Sequence, residues 1–325
     1  MTMTLNTGNA DRLDSELARA AQLQPYVAFA DPLGSRRNFA RSVKISRALR
    51  GKAPAEASVR TEDTSFTVPE DGRRIPVRIY RPDGLQESAP VLIYFHGGAF
   101  VAGDLETEHD RLLALALDTD CAIVSVEYRR PPENPFPAPT EDCYAAVRWV
   151  AAEAESLSLD AGRIAIGGSS AGGTLAAATA LMCRDRQGPE LVLQLLLFPA
   201  LDDRLDSDSM RRYPRTAAWH IEDSHHMWRH YLGPAFGTED PYAVPARRVD
   251  FTGVAPAYVL VAEVDALRDE GIAYAARMLE DGVSVELHHF AGGFHSFDAA
   301  VPHAGLSVRA LAEQSAALRR AFARN

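Results

Sequence analysis

The sequence predicts a mostly parallel, doubly wound α/β sheet, and three observations carry that prediction. Short apolar runs of strand length recur along the chain. Segments of helical periodicity separate them, as the crossovers of a parallel sheet require. The runs are apolar almost throughout rather than alternating, which is the pattern of strands covered on both faces. With 46% apolar and 24% charged residues, the 325-residue chain can bury a core of the size such a fold needs.

Taken in order, residues 64–68 and 75–80 read as strands joined through Glu70-Asp71-Gly72, a hairpin-like pair. Residues 91–95, 122–127, 164–167, 191–198, 258–262 and 284–290 read as further strands, eight in all. Helical patterns cover 112–117, 142–154, 170–184 and 270–280. Residues 1–60 are helical and mixed in polarity, with amphipathic turns at 15–20 and 38–43. Residues 200–250 break the alternation, being charged and aromatic without a clear strand. A helical insertion over the C-terminal edge of the sheet is expected there. With residues 1–60 it would form a cap on a catalytic unit spanning 61–325.

Composition excludes several function classes. A formal net charge of -10 argues against nucleic acid as a partner, because phosphate neutralisation needs a basic face. No apolar run reaches the roughly 18 residues of a membrane span. Asp11, Asp14 and Glu16 fall where a signal peptide would need an unbroken apolar stretch, so a cytoplasmic location is expected. Cys121, Cys143 and Cys183 are too few and too scattered for a disulfide framework and are expected to be reduced and buried.

Gly168-Ser169-Ser170-Ala171-Gly172 is a G-x-S-x-G, weak alone but set between a strand ending near Gly167 and a helix beginning at Ser170. A serine on such a tight turn projects its hydroxyl above the sheet edge, and small neighbours relieve the crowding. His96-Gly97-Gly98-Ala99-Phe100 follows the strand at 91–95. Adjacent glycines there can turn the N–H groups of Gly97 and Gly98 inward as oxyanion donors, with Ala171 N–H as the third. Losing one such donor typically costs on the order of 3 kcal/mol. The Ser170 hydroxyl needs a base. His295 and Asp265 lie beyond the ends of later strands, where α/β folds place their sites. Asp269, Glu270 and Glu263 are rivals for the acid, although Asp269 and Glu270 look like a first helical turn. His288 and His289 fall inside the last strand and read as packing or surface residues. His220, His225, His226 and His230 cluster beside Trp219 and Trp228, but His-His-Met-Trp-Arg-His is no familiar metal pattern. No metal is expected, and Trp228 and Tyr231 stand as pocket-lining or core residues.

Together these motifs resemble the hormone-sensitive-lipase-like family of bacterial esterases. The family's H-G-G-G appears as His96-Gly97-Gly98-Ala99, and its G-D-S-A-G-G as Gly168-Ser169-Ser170-Ala171-Gly172-Gly173. Its D-P-L-R-D-E-G appears as Asp265-Ala266-Leu267-Arg268-Asp269-Glu270-Gly271, and its H-G-F as His295-Ser296-Phe297. Its Y-R-L-A-P-E-x-P-F-P-A stretch is visible over residues 128–138. The resemblance implies an α/β-hydrolase fold with an eight-stranded sheet and a helical cap. It also implies no cofactor and a carboxylesterase acting on short- to medium-chain esters. It assigns Asp265 as the acid of a Ser170–His295–Asp265 triad. Four departures stand out: Ala99 for the third glycine, Ser169 for the Asp beside the nucleophile, Ser296 for Gly, and Arg130-Pro131 for Leu-Ala. An amidase or deacetylase with the same triad, and a non-catalytic ligand-binding protein on this scaffold, are the alternatives. The expected partner is a small-molecule ester; a homodimer through a sheet edge or the last helices is left open.

Overall fold

The computed structural model describes residues 11–23, 26–51, 53–217 and 219–323. Residues 1–10, 24, 25 and 52 of the expected N-terminal region, and residue 218 of the insertion, lie outside the described residues. Eight strands form one sheet: β1 (Val59–Thr67), β2 (Arg74–Pro82), β3 (Ala89–Phe95), β4 (Ala122–Val126), β5 (Leu159–Ser169), β6 (Leu193–Leu197), β7 (Ala257–Val264) and β8 (Val285–Phe294). Their order is β1-β2-β4-β3-β5-β6-β7-β8. β2 runs antiparallel to both neighbours, and all pairs from β4 to β8 are parallel.

Each central strand sends alternate side chains to opposite faces. Val91, Ile93 and Phe95 of β3 join one core, together with Val147, Leu175, Met182 and Met278. Leu92 and Tyr94 join the other, with Leu112, Leu115, Leu318 and Phe322. The first face is therefore covered by α4 (Ala138–Ala152), α5 (Ala171–Asp185) and α8 (Arg268–Glu280), and the second by α3 (His109–Thr119) and α10 (Gly305–Phe322). Burial on both faces explains the near-continuous apolar runs of β4 and β6.

Two strands start earlier than their apolar patterns suggest. β1 begins at Val59, through Arg60, Glu62 and Asp63, because its ladder with β2 runs the full nine residues at the sheet edge. Charged side chains suit such an edge, where they discourage pairing with another chain. β5 begins at Leu159, through the polar turn Asp160-Ala161-Gly162-Arg163.

The N-terminal region holds α1 (Ser15–Ala21) and α2 (Pro32–Arg50), and the 200–250 interval holds α6 (Asp208–Arg212) and α7 (Ile221–Leu232). Only Gly34 and Ser35 of α2 are buried, so α2 is no ordinary amphipathic core helix. Arginines hold it instead. Arg36 grips Glu133 through both of its NH groups, at 3.0 and 2.8 Å, and donates to the Val101 and Pro131 carbonyls. Arg47 and Arg50 both reach Asp110, at 3.2 and 3.1 Å. Among the described residues, no helix is long and apolar enough to cross a membrane.

Candidate active site

Four segments end at the C-terminal edge of the sheet, and each delivers its key residue at the first or second position past the strand. Gly97 follows β3 by two residues. Ser170 follows β5, Asp265 follows β7, and His295 follows β8. The sheet itself thus converges residues far apart in sequence.

Ser170 occupies the turn between β5 and α5 with φ 56° and ψ -120°. A non-glycine residue at positive φ there costs of order 1–3 kcal/mol, and surrounding contacts hold it. Ser170 N–H donates to the Leu197 carbonyl at 2.8 Å. A Cβ on Gly168 would lie 2.2 Å from the Gly172 carbonyl oxygen, and one on Gly172 would lie 2.0 Å from that of Phe95. Both positions therefore demand glycine for close backbone approach.

His295 Nδ1 lies 2.8 Å from Asp265 Oδ2, and His295 Nε2 lies 3.1 Å from Ser170 Oγ. A carboxylate only accepts, so Nδ1 carries the proton and the Nε2 lone pair faces the serine hydroxyl. The other Asp265 oxygen accepts Leu267 N–H at 3.0 Å. All three side chains are buried, with Ser170 and His295 at 5% exposure and open to a cavity. The rival acids are occupied elsewhere. Glu263 takes Arg12 and Gly292 N–H, Asp269 takes Ser209 N–H, and Glu270 accepts Leu201 N–H at 2.7 Å. Burial pushes the Glu270 carboxyl well above the usual carboxylate range.

The turn after β3 presses against this elbow. Gly98 has φ +124°, and a Cβ there would lie 2.4 Å from the Ala102 carbonyl oxygen. The N–H groups of Gly98, Ala99 and Ala171 have no acceptor among the described residues. Gly97 N–H likewise has none among them. The Glu108 carboxyl stands beside this turn, where a Cβ on Gly97 would lie 3.6 Å from Glu108 Oε1. Burial raises the Glu108 carboxyl above its ordinary value, while Arg111 opposes the shift. His96 is buried with its Nδ1 2.8 Å from the Gly97 carbonyl, and burial pushes its imidazole down to about 3. It serves as a neutral prop of the turn.

The cavity over Ser170 measures about 220 Å³. Val27, Phe29, Phe39, Val43 and Trp219 make an apolar wall, and Ser42, Ser46, Arg50 and Thr107 a polar one. Trp219 stands over the histidine, ring centroids 5.9 Å apart. Trp228 and Tyr231 do not line this space: they pack on Phe100, at 5.9 and 3.8 Å. The histidine cluster serves the N-terminal segment. His220 stacks on Tyr26 at 4.0 Å, and His230 Nε2 donates to the Phe29 carbonyl at 3.1 Å. His288 pairs with Glu313 at 2.6 Å on the outer side of β8. Cys121, Cys143 and Cys183 are free and buried, and burial pushes the Cys121 and Cys183 thiols up to about 12.

A family model described as alpha/beta hydrolase fold matches residues 92–299, which span the turn after β3 and both strands that precede Asp265 and His295. Carboxylesterase NlhH of Mycobacterium tuberculosis is 37% identical over 86% of this chain and 90% of its own length. The chain belongs to the hormone-sensitive-lipase-like family of α/β-hydrolases. Two solved structures of this family's esterases superpose on it closely. Esterase LipW from Mycobacterium marinum has a TM-score of 0.90 at 39% identity and covers 100% of both chains. A bacterial heroin esterase has a TM-score of 0.91 at 38% identity, covering 97% of this chain and 100% of its own. Within the family frame, Glu108, Trp219 and the α2 residues were not legible as site residues from local sequence. Trp219 is separated from His295 by 76 positions, and only the fold brings their rings together.

Proposed function

We propose that this hydrolase is a carboxylesterase that cleaves short- to medium-chain acyl esters through Ser170, His295 and Asp265. The observation that carries the reading is the unbroken hydrogen-bonded chain from Asp265 through His295 to Ser170 at the mouth of a cavity. His295 Nε2 accepts the hydroxyl proton as Ser170 Oγ bonds to the ester carbonyl carbon. Asp265 keeps the ring in the tautomer that can accept it and stabilises the imidazolium. The carbonyl oxygen gains negative charge, and the N–H groups of Gly97, Gly98 and Ala171, without an acceptor among the described residues, are the donors to bind it. The tetrahedral intermediate collapses, the C–O bond to the alcohol breaks, and His295 hands the alcohol its proton. Water then adds to the acyl carbon with its proton taken by the same histidine, the bond from that carbon to Ser170 Oγ breaks, His295 returns the proton to Oγ, and the acid leaves.

The described parts of residues 1–60 and of the 200–250 insertion act as the cap, since α2 and Trp219 supply cavity wall beside the triad. A cavity of about 220 Å³ lies below the roughly 300–1,000 Å³ of drug-sized pockets, which favours modest acyl groups. Hydrolysis of p-nitrophenyl esters from acetate to palmitate, by the intact protein and by Ser170→Ala, tests the reading. Short esters should be cleaved best, and the substitution should abolish turnover. A Ser170→Ala protein as fast as the parent would overturn it. Matched anilide and phenyl ester substrates separate an amidase from an esterase.

A further inference from the structure

Glu108 lies within the site, yet the scheme above gives it no task. It immediately precedes α3, on the stretch that returns from the His96-Gly97-Gly98 turn, and its side chain is only 7% exposed. It lines the same cavity as Gly97, Ser169 and Ser170. A Cβ on Gly97 would stand 3.6 Å from Glu108 Oε1, 3.0 Å from the Ser169 carbonyl oxygen and 3.6 Å from Ser170 Cβ. The carboxyl group is wedged where the turn after β3 meets the elbow after β5. Gly97 N–H and the Ser169 hydroxyl both favour its charged form, against the burial that raises it. Its Oε2 has no hydrogen-bond partner among the described residues, with Arg111 Nε 3.4 Å away. Arg111 is held more closely by Asp298, at 2.6 Å, and reaches Tyr94 Oη at 3.3 Å. Glu108 is therefore a buried acid set between the two loops of the site, with Arg111 as its ion-pair partner.

The sequence supplies an independent observation. The family's elbow carries an Asp directly before the nucleophile, and this chain has Ser169 there. The fold brings a carboxyl group, that of Glu108, to the same cavity as Ser169 from another element.

Resting on the triad reading, we propose that Glu108 is a positioning residue for the oxyanion site, tying the Gly97 turn to Ser169. It touches no reacting atom. Its effect is to hold Gly98 N–H and Ala171 N–H, which sit on different loops, at the spacing one oxyanion requires. Misplacement by about 1 Å at such a site can cost on the order of 100-fold in rate.

The test uses the full-length protein and its Glu108→Ala and Glu108→Gln variants, with p-nitrophenyl acetate as substrate. A trifluoromethyl ketone serves as probe, because addition of Ser170 Oγ to its carbonyl carbon creates the same oxyanion. Glu108→Ala is expected to lower kcat by about 10- to 100-fold while KM stays within about twofold. The ketone's Ki should rise by the same factor as kcat falls. Glu108→Gln keeps the volume and an acceptor oxygen and should stay within about threefold of the parent. A folded Glu108→Ala protein with parental kcat, or one whose kcat falls with Ki unmoved, overturns the proposal. Ser170→Ala measured alongside separates the two levels. If it retains parental turnover, the triad reading itself fails. If it is dead while Glu108→Ala matches the parent, only the role of Glu108 fails.

Discussion

Replacing Asp265 by Asn changes one atom in the hydrogen-bonded chain and should silence it. The carboxylate accepts twice, from His295 Nδ1 at 2.8 Å and from Leu267 N–H at 3.0 Å. An asparagine has one acceptor oxygen and an NH2 group. Leu267 N–H is buried and needs an acceptor, so the amide oxygen stays there and the NH2 turns to the ring. Only the tautomer protonated on Nε2 can pair with that NH2. Its proton then points at Ser170 Oγ, 3.1 Å away, where a lone pair is required. A wrong-tautomer triad loses about 10⁴ in kcat, which is about 5.4 kcal/mol of transition-state stabilisation. KM should change little, because Asp265 stands behind the imidazole and lines no part of the cavity. Stability should stay within about 1 kcal/mol, since the same two contacts persist. Steady-state kinetics on p-nitrophenyl acetate, normalised by active-site titration, measures the loss. An Asp265→Asn enzyme within about tenfold of the parent would refute the reasoning, because it would mean that the carboxylate does not set the tautomer.

Two further outcomes follow from the cavity and the core. Trp219→Leu should shift the chain-length optimum toward longer acyl groups, changing the octanoate-to-acetate ratio of kcat/KM by about tenfold or more; an unchanged profile would show that the indole does not bound the acyl group. His96 is held neutral by burial, its imidazole lowered to about 3 against an ordinary 6.5. Its folded value lies below its unfolded one, so its contribution to stability is complete above pH 6.5 and is lost as pH falls toward 3. The slope attributable to it is about 1.4 kcal/mol per pH unit inside that window. Urea titrations at several pH values, with His96→Asn alongside, should show the variant's slope flatter by about one proton.

Much of the site could be read from local pattern. Ser170 announced itself because a strand, a glycine-rich turn and a helix lie consecutively in the chain, and the strained turn needs glycine at 168 and 172 for reasons visible in two atoms' approach. His295 was legible as a residue just beyond a strand, whereas Asp265 shared its stretch with Glu263, Asp269 and Glu270, and only the family resemblance singled it out. Strand ends were less legible. The charged first half of β1 forms a strand because β2 pairs with it, and no periodicity within residues 59–63 signals that.

What the sequence alone determined about this protein is its α/β alternation, the elbow serine and the chain order of the triad. The first two rest on neighbours within a few positions, and the third on the motifs that carry the family resemblance. The tertiary structure decided the rest. It set the Glu108 carboxyl beside Gly97, eleven residues earlier and on the far side of a loop. It chose Trp219, in the loop before α7, over Trp228 within α7 for the cavity wall, since position in the fold, not residue type, settles which ring faces the cavity. It set α2 over the site through the pairs Arg36–Glu133, Arg47–Asp110 and Arg50–Asp110, whose partners lie 60 to 97 positions apart. Packing and charge pairing across such separations leave no periodic trace in the chain, because the contact energy depends on where the fold brings the atoms and not on the spacing between residues.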